Sequence, residues 1–181
     1  MKLVIIRYPE TNKVAGLSGE PEAPSPRGRE QISRLAEVCE RQNVQAVVCS
    51  VLPRASLAGK ALARSLHVSA TAMDKLRDRN FGDWSKQQWP EISMQLDKLS
   101  LESRYTFAPP NGESWQQMDV RLSEALRDIA ALGHSSVAVV THASCIRVIR
   151  ALLGSQSKES VIKLIPPLGS SYLEMYTSAT G

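Results

Sequence analysis

The sequence predicts an α/β fold, a three-layer α/β/α sandwich with a mostly parallel central sheet between two layers of helices. Short apolar runs rich in β-branched residues recur along the chain, and amphipathic segments separate them. Strands that are apolar at every position indicate a sheet covered on both faces, and alternation with helices favours parallel pairing. The 181 residues, 43% of them hydrophobic, can bury one sizeable core, so we expect a single domain over residues 1–181.

Short apolar runs, each too brief for a helix, predict the strands. Three of them are Val4–Tyr8, Val44–Cys49 and Val137–Thr141. Two further runs near the C-terminus, Val161–Ile165 and Tyr172–Tyr176, predict additional strands at one side of the sheet.

Four segments with the apolar spacing of a helix predict the flanking layers. The first begins at Ser25-Pro26, because serine is a good N-cap and proline suits the first helical position. The others are expected from about Pro53, from Ser114 to Leu132 and from about Ala143 to Leu153. A glycine follows each of the last two, which is a common C-terminal stop.

The segment from Asp74 to Pro110 interrupts this alternation. We interpret residues 74–110 as an excursion that lies over one end of the sheet, at the rim of the site. Its Trp84 and Trp89 are candidates to line a substrate mouth, although aromatic residues in such a segment more often cover its underside. Just beyond this segment, Glu113-Ser114 can either cap the helix that follows or contact the rim of the site, and we favour the capping role.

The amino-acid composition limits the cellular compartment and the classes of partner that we expect for this protein. No stretch approaches the roughly 20 apolar residues needed to span a bilayer, and the N-terminus lacks the features of a secretory leader. Cys39, Cys49 and Cys145 form no Cys-x-x-Cys pair, so neither a disulfide framework nor a metal site is predicted. The formal charge of +4 comes without basic clusters, which disfavours nucleic acid. We expect a cytoplasmic protein with no metal, cofactor or membrane partner.

Polar residues follow the strands at the edge where a parallel sheet binds ligands. The first strand ends at Arg7-Tyr8, the second leads into Arg54, and the Val137 strand ends just before His142. Ligands in such sheets bind beyond the carboxyl ends of the strands. Two guanidiniums and an imidazole at one edge predict a site for a phosphate or a carboxylate.

Six motifs, in the expected order over nearly the whole chain, resemble those of the histidine phosphatase superfamily, which includes cofactor-dependent phosphoglycerate mutases and alpha-ribazole phosphatases. Each motif alone is short, but together they indicate membership and a phosphoglycerate mutase-like fold. The motifs are Leu3–Thr11, Pro24–Gln31, Ser50–Ala55, Leu76–Gly82, Pro110–Ser114 and Val140–Arg147.

The resemblance implies phosphoryl transfer through a phosphohistidine. It places the nucleophile at position 8 and the acid that protonates the leaving group at position 78. Arg7, Arg54 and His142 would hold the phosphate. This division is physically sound, since a transferred phosphoryl group mainly needs in-line positioning and positive donors on its oxygens.

Both chemical positions depart from the family pattern. Tyr8 stands where the histidine is expected, and a phenol with an ordinary pKa of about 10 is a poor nucleophile at neutral pH without an activating base. Asp78 replaces the longer glutamate, and the flanking Arg77 and Arg79 are expected to favour its ionised form. Pro9 replaces a glycine and removes a backbone donor.

A further departure is Val14, which stands where the family often has an asparagine that helps to hold phosphate. The leading hypothesis is therefore a catalytically impaired or inactive homologue that binds a small phosphorylated or anionic ligand, with a protein partner as a further possibility. The first alternative is an active phosphatase or mutase that uses His142 or a Tyr8 phenolate as an unusual nucleophile. The second is a module that uses the fold only as a scaffold.

Overall fold

The computed structural model describes residues 1–12 and 23–177 and has the predicted α/β architecture. Five strands form one sheet: β1 Lys2–Arg7, β2 Ala46–Ser50, β3 Ser69–Met73, β4 Ser136–Thr141 and β5 Ser171–Met175. Their order across the sheet is β3-β2-β4-β1-β5. The first four are parallel and β5 is antiparallel to β1, so the sheet is mostly parallel, as predicted.

Helices cover both faces of this sheet. They are α1 Pro26–Arg41, α2 Pro53–Leu66, α3 Trp89–Leu96, α4 Leu101–Thr106, α5 Trp115–Ala131, α6 Ala143–Leu152 and α7 Lys158–Lys163. The side chains of Val4 and Ile6 in β1 pack with α1 and α2, whereas those of Leu3 and Ile5 pack with α5 and α6. This alternation explains why the strand is apolar at every interior position. Within the described residues, no helix is long and apolar enough to cross a membrane.

Two elements differ from the sequence prediction. The run Val161–Ile165 was expected to be a strand, but most of it lies in or next to α7, which is capped by the Ser157 hydroxyl accepting from the Ser160 N–H. Strand β3 was not predicted. Its residues are mostly exposed and it lies at the sheet edge, so its pairing with β2 depends on backbone hydrogen bonds that leave no apolar pattern.

The segment 74–110 contains two 3₁₀ turns, Asp74–Leu76 and Gly82–Lys86, followed by α3 and α4. Trp84 is buried and packs with Phe107 at a ring-centroid distance of 5.2 Å, so it covers the underside of the segment, as favoured from the sequence. The side chain of Trp89 lies outside the described part of the chain.

The start of α5 confirms the capping interpretation. The Ser114 hydroxyl accepts from the Gln117 N–H, and the Gln117 side chain accepts from the Ser114 N–H. Glu113 has a different partner: its carboxylate binds the Arg121 guanidinium at 2.6 Å and accepts the Asn80 N–H at 2.8 Å. Glu113 therefore ties the segment after β3 to α5.

A close approach between α2 and β2 makes Gly59 a test of the packing. A Cβ at position 59 would lie 2.6 Å from the Cβ of Cys49, which is too close for two carbon atoms. We expect Gly59→Ala to lower the free energy of unfolding by about 1–2 kcal/mol, because so short a contact should cost near the upper end of the roughly 1–3 kcal/mol typical of overpacking, and the gain in helix propensity returns only about 0.5–1 kcal/mol. Urea denaturation measures this change. The control is Lys60→Ala, on the exposed face of α2, which should stay within about 0.5 kcal/mol of the native protein. A native midpoint for Gly59→Ala would contradict the close approach.

Candidate functional site

The carboxyl ends of three neighbouring parallel strands bring the predicted polar residues together. In the register of β1 and β4, Arg7 pairs with Thr141, and the Tyr8 N–H continues the ladder by donating to the Thr141 carbonyl at 3.0 Å. Strand β2, on the other side of β4, ends at Ser50. Its hydroxyl lies 2.9 Å from Nε2 of His142, the residue that follows β4.

His142 is completely buried, and both of its ring nitrogens have partners inside the protein. Nδ1 accepts a hydrogen bond from Nε of Arg54 at 3.3 Å, so Nε2 carries the proton and faces the Ser50 hydroxyl. Burial lowers the pKa of His142 to about 4; Asp78 acts in the opposite direction, and the charges of Arg54 and Arg7 lower the pKa further. The imidazole is therefore neutral at neutral pH.

Asp78 faces the same imidazole and is ionised. Its Oδ2 accepts from Nη2 of Arg54 at 3.0 Å, and its Oδ1 accepts from the Arg79 N–H at 2.9 Å and from the Ser144 hydroxyl. Burial alone would raise the pKa of Asp78. At the acidic pH where Asp78 would gain its proton, His142 is itself protonated. The charge of that imidazolium, the Ser144 hydroxyl and the Arg54 guanidinium together outweigh burial and hold the pKa of Asp78 below its ordinary value.

The ionised state of Asp78 agrees with the sequence prediction, but its cause differs. The Arg77 guanidinium binds the Asp74 carboxylate, and the Arg79 guanidinium donates to the backbone carbonyl of Glu113 at 3.0 Å. Neither flanking side chain therefore forms a salt bridge with Asp78. A guanidinium 24 positions earlier in the chain, on α2, takes that place.

Tyr8 lies among the cationic and imidazole side chains of the site. The centroid of its ring is 5.3 Å from Cζ of Arg54, 5.8 Å from Cζ of Arg7 and 5.4 Å from the ring centroid of His142. Arg7 donates through Nη1 to the Pro166 carbonyl, and its buried Nε has no hydrogen-bond partner within the described residues. The structure thus brings all five predicted site residues together.

The loop after β1 is anchored to α1. Pro9 is buried, the Glu10 N–H donates to the Gln31 side chain at 2.9 Å, and the Glu10 carboxylate accepts from the Ser25 hydroxyl at 2.8 Å. This anchoring fixes the direction of the chain immediately after Tyr8. Val14, another position at which the sequence departs from the family pattern, lies outside the described residues.

Sequence reasoning missed Ser144, whose hydroxyl binds Asp78 and accepts from the Arg79 N–H at 3.2 Å. It also missed Arg147, on the same helix, which lines a cavity beside Asp78. Ser144 is only two residues after His142 and occupies a position where the family motif has a glycine. That departure was the available signal, but the partner lies 66 positions away and leaves no local pattern.

The fold and the site together define an α/β protein with a basic polar site at the carboxyl ends of its parallel strands. The family described as the histidine phosphatase superfamily (branch 1) matches residues 3–178. The chain belongs to this superfamily.

Relatives agree with this assignment. The adenosylcobalamin/alpha-ribazole phosphatase of Escherichia coli (strain K12) is 26% identical over 171 residues, which cover 89% of this chain and 83% of that protein. The crystal structure of the alpha-ribazole phosphatase from Shigella flexneri has a TM-score of 0.73 and 24% identity, and the match covers 98% of this chain and 92% of that one. A mycobacterial glucosyl-3-phosphoglycerate phosphatase has a TM-score of 0.74 and 22% identity, with coverage of 95% and 88%. The two structural matches are evidence of a shared fold.

His142 should produce a pH dependence of stability. The unfolded chain binds a proton on this imidazole near pH 6.5, whereas the folded chain binds it only near pH 4. The stability from the neutral imidazole is therefore present above pH 6.5 and is lost as the pH falls toward 4. We expect the free energy of unfolding of the native protein, measured in urea, to fall between about pH 7 and pH 4.5. Over the same pH interval, the decrease in His142→Gln should be about 2 kcal/mol smaller.

The control is His67→Gln, at an exposed histidine after α2, which should keep the native pH dependence. Equal falls in the native protein and in His142→Gln would contradict a neutral, buried imidazole. The Hε1 chemical shift of His142 in NMR provides a second measurement, and it should not titrate above about pH 5.

Proposed function

We propose that this protein is a catalytically impaired member of the superfamily that keeps a pocket for a small phosphorylated or anionic ligand. The observation that carries the proposal is the position of Tyr8. Its ring lies within 6 Å of the Arg7 and Arg54 guanidiniums and of the His142 ring, where the family resemblance expects the nucleophilic histidine. A phenol there has little nucleophilic character at neutral pH without a base to remove its proton.

The bonding of His142 supports this proposal. A general base for Tyr8 needs a free lone pair, but Nδ1 of His142 is occupied by Arg54 and its Nε2 faces Ser50. The same two contacts argue against His142 as the nucleophile. Attack through either nitrogen would require an internal hydrogen bond to break in a fully buried ring.

The state of Asp78 supports it as well. An acid that protonates a leaving group must hold a proton at the working pH. Asp78 instead has a lowered pKa and accepts hydrogen bonds from Arg54, Ser144 and the Arg79 N–H. Both chemical roles of the family are therefore compromised in this chain.

The arginines, in contrast, can still bind an anion. Arg54 uses Nε and one Nη2 contact internally, and Arg7 uses one contact to a backbone carbonyl, so donors remain on both guanidiniums. An incoming phosphate would compete with Asp78 for Arg54. Anion affinity should therefore depend on the charge at position 78.

The rival function is an active phosphomonoester phosphatase. The similarity to a curated phosphatase over 89% of this chain favours it. It predicts turnover by the native protein that is lost in His142→Ala, and the experiments on the Tyr8 variants test that outcome directly.

Phosphate binding tests the retained pocket. We expect inorganic phosphate to bind the native protein in isothermal titration calorimetry, and Arg54→Ala to weaken binding roughly 10- to 100-fold, because a charged hydrogen bond contributes about 1.5–3 kcal/mol. Asp78→Asn should tighten binding, since it removes the internal anion that competes for Arg54. The control is Arg64→Ala, an exposed arginine of the same helix. Absence of phosphate binding, or equal affinity in Arg54→Ala, would contradict the proposal.

Restoring the chemical groups tests the loss of catalysis. We expect no turnover of p-nitrophenyl phosphate by the native protein, and measurable turnover by the variant that combines Tyr8→His, Pro9→Gly and Asp78→Glu. That variant should also form an acid-labile phosphohistidine during the reaction. Tyr8→Phe is the control and should stay inert. Native turnover that His142→Ala abolishes would establish the rival function instead.

A further inference from the structure

We infer that Arg121, on α5, is a positioning residue of the candidate site: it fixes the chain on both sides of Asp78 and so sets how strongly that carboxylate holds Arg54. Its effect on an anion at Arg54 rests on the proposed function, whereas its effect on the chain does not. Residues 77–81, which carry Asp78, form neither helix nor strand. Side-chain contacts from other elements must therefore hold this stretch in place.

Arg121 holds the chain immediately before Asp78. Its Nη1 donates to the Lys75 carbonyl at 2.6 Å and to the Arg77 carbonyl at 3.0 Å. These carbonyls belong to residues three positions and one position before Asp78, so a single nitrogen fixes the chain that leads into the carboxylate. A charged donor makes such hydrogen bonds stronger than a neutral donor would.

Arg121 also holds the chain after Asp78, and it does so through Glu113. The other two nitrogens of the guanidinium bind the Glu113 carboxylate as a fork, Nη2 to Oε1 at 2.6 Å and Nε to Oε2 at 3.1 Å. Oε1 of Glu113 in turn accepts the Asn80 N–H at 2.8 Å, and the Glu113 N–H donates to the Asn80 carbonyl at 2.9 Å. The guanidinium therefore fixes the orientation of the carboxylate that holds Asn80.

These contacts leave Arg121 little capacity to bind a ligand itself. A guanidinium has five N–H groups, and four hydrogen bonds to the protein engage all three nitrogens of Arg121. Its side chain is only 22% exposed. The Asp78 carboxylate is bound instead by Arg54, by the Ser144 hydroxyl and by the Arg79 N–H. Arg121 therefore acts on the site through the position of the chain and not by touching the anion.

The contact between Asp78 and Arg54 tolerates little displacement of the chain. Oδ2 of Asp78 accepts from Nη2 of Arg54 at 3.0 Å, while Oδ1 accepts from the Ser144 hydroxyl on the other side. The aspartate side chain is short, so the backbone decides whether both partners are reached at once. A shift of roughly 1 Å would take the Arg54 contact out of hydrogen-bonding range, since N–H···O distances lie at about 2.7–3.2 Å. An anion at Arg54 would then meet less competition.

The substitution Arg121→Lys separates position from charge. Lysine keeps the positive charge, which after burial contributes to the low pKa of His142, but one ammonium cannot form the fork to Glu113 and also reach both carbonyls. Amide hydrogen exchange, followed by NMR, measures the result without any ligand. We expect the N–H groups of Arg79 and Asn80 to exchange about tenfold or more faster in Arg121→Lys, while those of β4 keep their native rates.

A double-mutant cycle tests whether Arg121 acts through Asp78. In isothermal titration calorimetry with inorganic phosphate, we expect Arg121→Lys to bind about threefold or more tightly than the native protein, because a weakened contact between Asp78 and Arg54 competes less with the anion. In the Asp78→Asn background, the same substitution should change the affinity by less than about twofold, since the competing charge is already absent. A merely structural role of Arg121 would change the affinity equally in both backgrounds.

A matched control and a second variant accompany these measurements. The control is Arg127→Lys, at an exposed arginine of the same helix, which should behave like the native protein in both. Because Arg121→Lys can fail to fold, Glu113→Gln provides the second variant. Its amide has a single acceptor oxygen, so it cannot hold both the guanidinium fork and the Asn80 N–H. We expect Glu113→Gln to accelerate the exchange of Asn80 and to tighten phosphate binding in the same direction.

The outcomes distinguish this inference from the proposed function. Native exchange rates at Arg79 and Asn80 in both Arg121→Lys and Glu113→Gln overturn the positioning role, whatever the phosphate affinity. Tighter binding that persists in the Asp78→Asn background also overturns it, because Arg121 would then act by another route. Absence of phosphate binding in the native protein and in every variant overturns the proposed function instead, and faster exchange then still supports the positioning role of Arg121.

Discussion

The burial of His142 is the constraint on which the arrangement of the site depends. A ring enclosed at the end of β4 needs partners for both nitrogens, because an unpaired buried polar atom costs about 1–3 kcal/mol. Ser50 and Arg54 are these partners, and they are within reach because β2 and β4 are adjacent and parallel. The contact with Nδ1 orients the Arg54 guanidinium so that its other side meets Asp78. One imidazole thus couples the sheet, α2 and the segment after β3.

This coupling makes two possible roles of Asp78 incompatible. A catalytic acid must hold a proton at the working pH, whereas the counter-ion of a guanidinium must be ionised. Arg54, Ser144 and the Arg79 N–H all favour the ionised form. The interactions that make Asp78 a good counter-ion would therefore make it a poor acid, and an anion that binds Arg54 would have to compete with this carboxylate. Anion binding and proton donation can thus be separated physically in this fold.

The fold was predictable where burial leaves a pattern in the sequence. Strands β1, β2 and β4 are covered on both faces, and their apolar runs indicated them correctly. Strand β3 exposes most of its side chains, so nothing in its residue types indicated that its backbone pairs with β2. The run at Val161 was apolar but belongs to a helix, because the cap at Ser157 outweighs the β-propensity of a few residues.

The meeting of the candidate site residues at one edge of the sheet was predictable to the same degree and for a related reason. Arg7 ends β1, Tyr8 and His142 directly follow strands, and Arg54 lies in the first turn of the helix after β2. Parallel strands place such positions at one edge of the sheet. The partner of Asp78 was not predictable from its neighbours in the chain, because the carboxylate turns away from the Arg77 guanidinium and binds α2. The same limit applies to the other side-chain contacts of Asp78, since residue propensity and spacing describe only local geometry.

Buried charge connects anion binding to stability in this molecule. The guanidiniums of Arg79 and Arg147 are largely buried and form no direct salt bridge within the described residues, and burial lowers the pKa of each. The Glu113 carboxylate acts on Arg79 and the Asp78 carboxylate on Arg147 in the opposite direction, and the ring of Trp115 offsets the cost of burial further, since a cation–π contact contributes about 0.5–2 kcal/mol. An anion between them would remove the repulsion and fill their free donors. Because such an anion would bind the folded chain and not the unfolded chain, its binding would add to the free energy of unfolding.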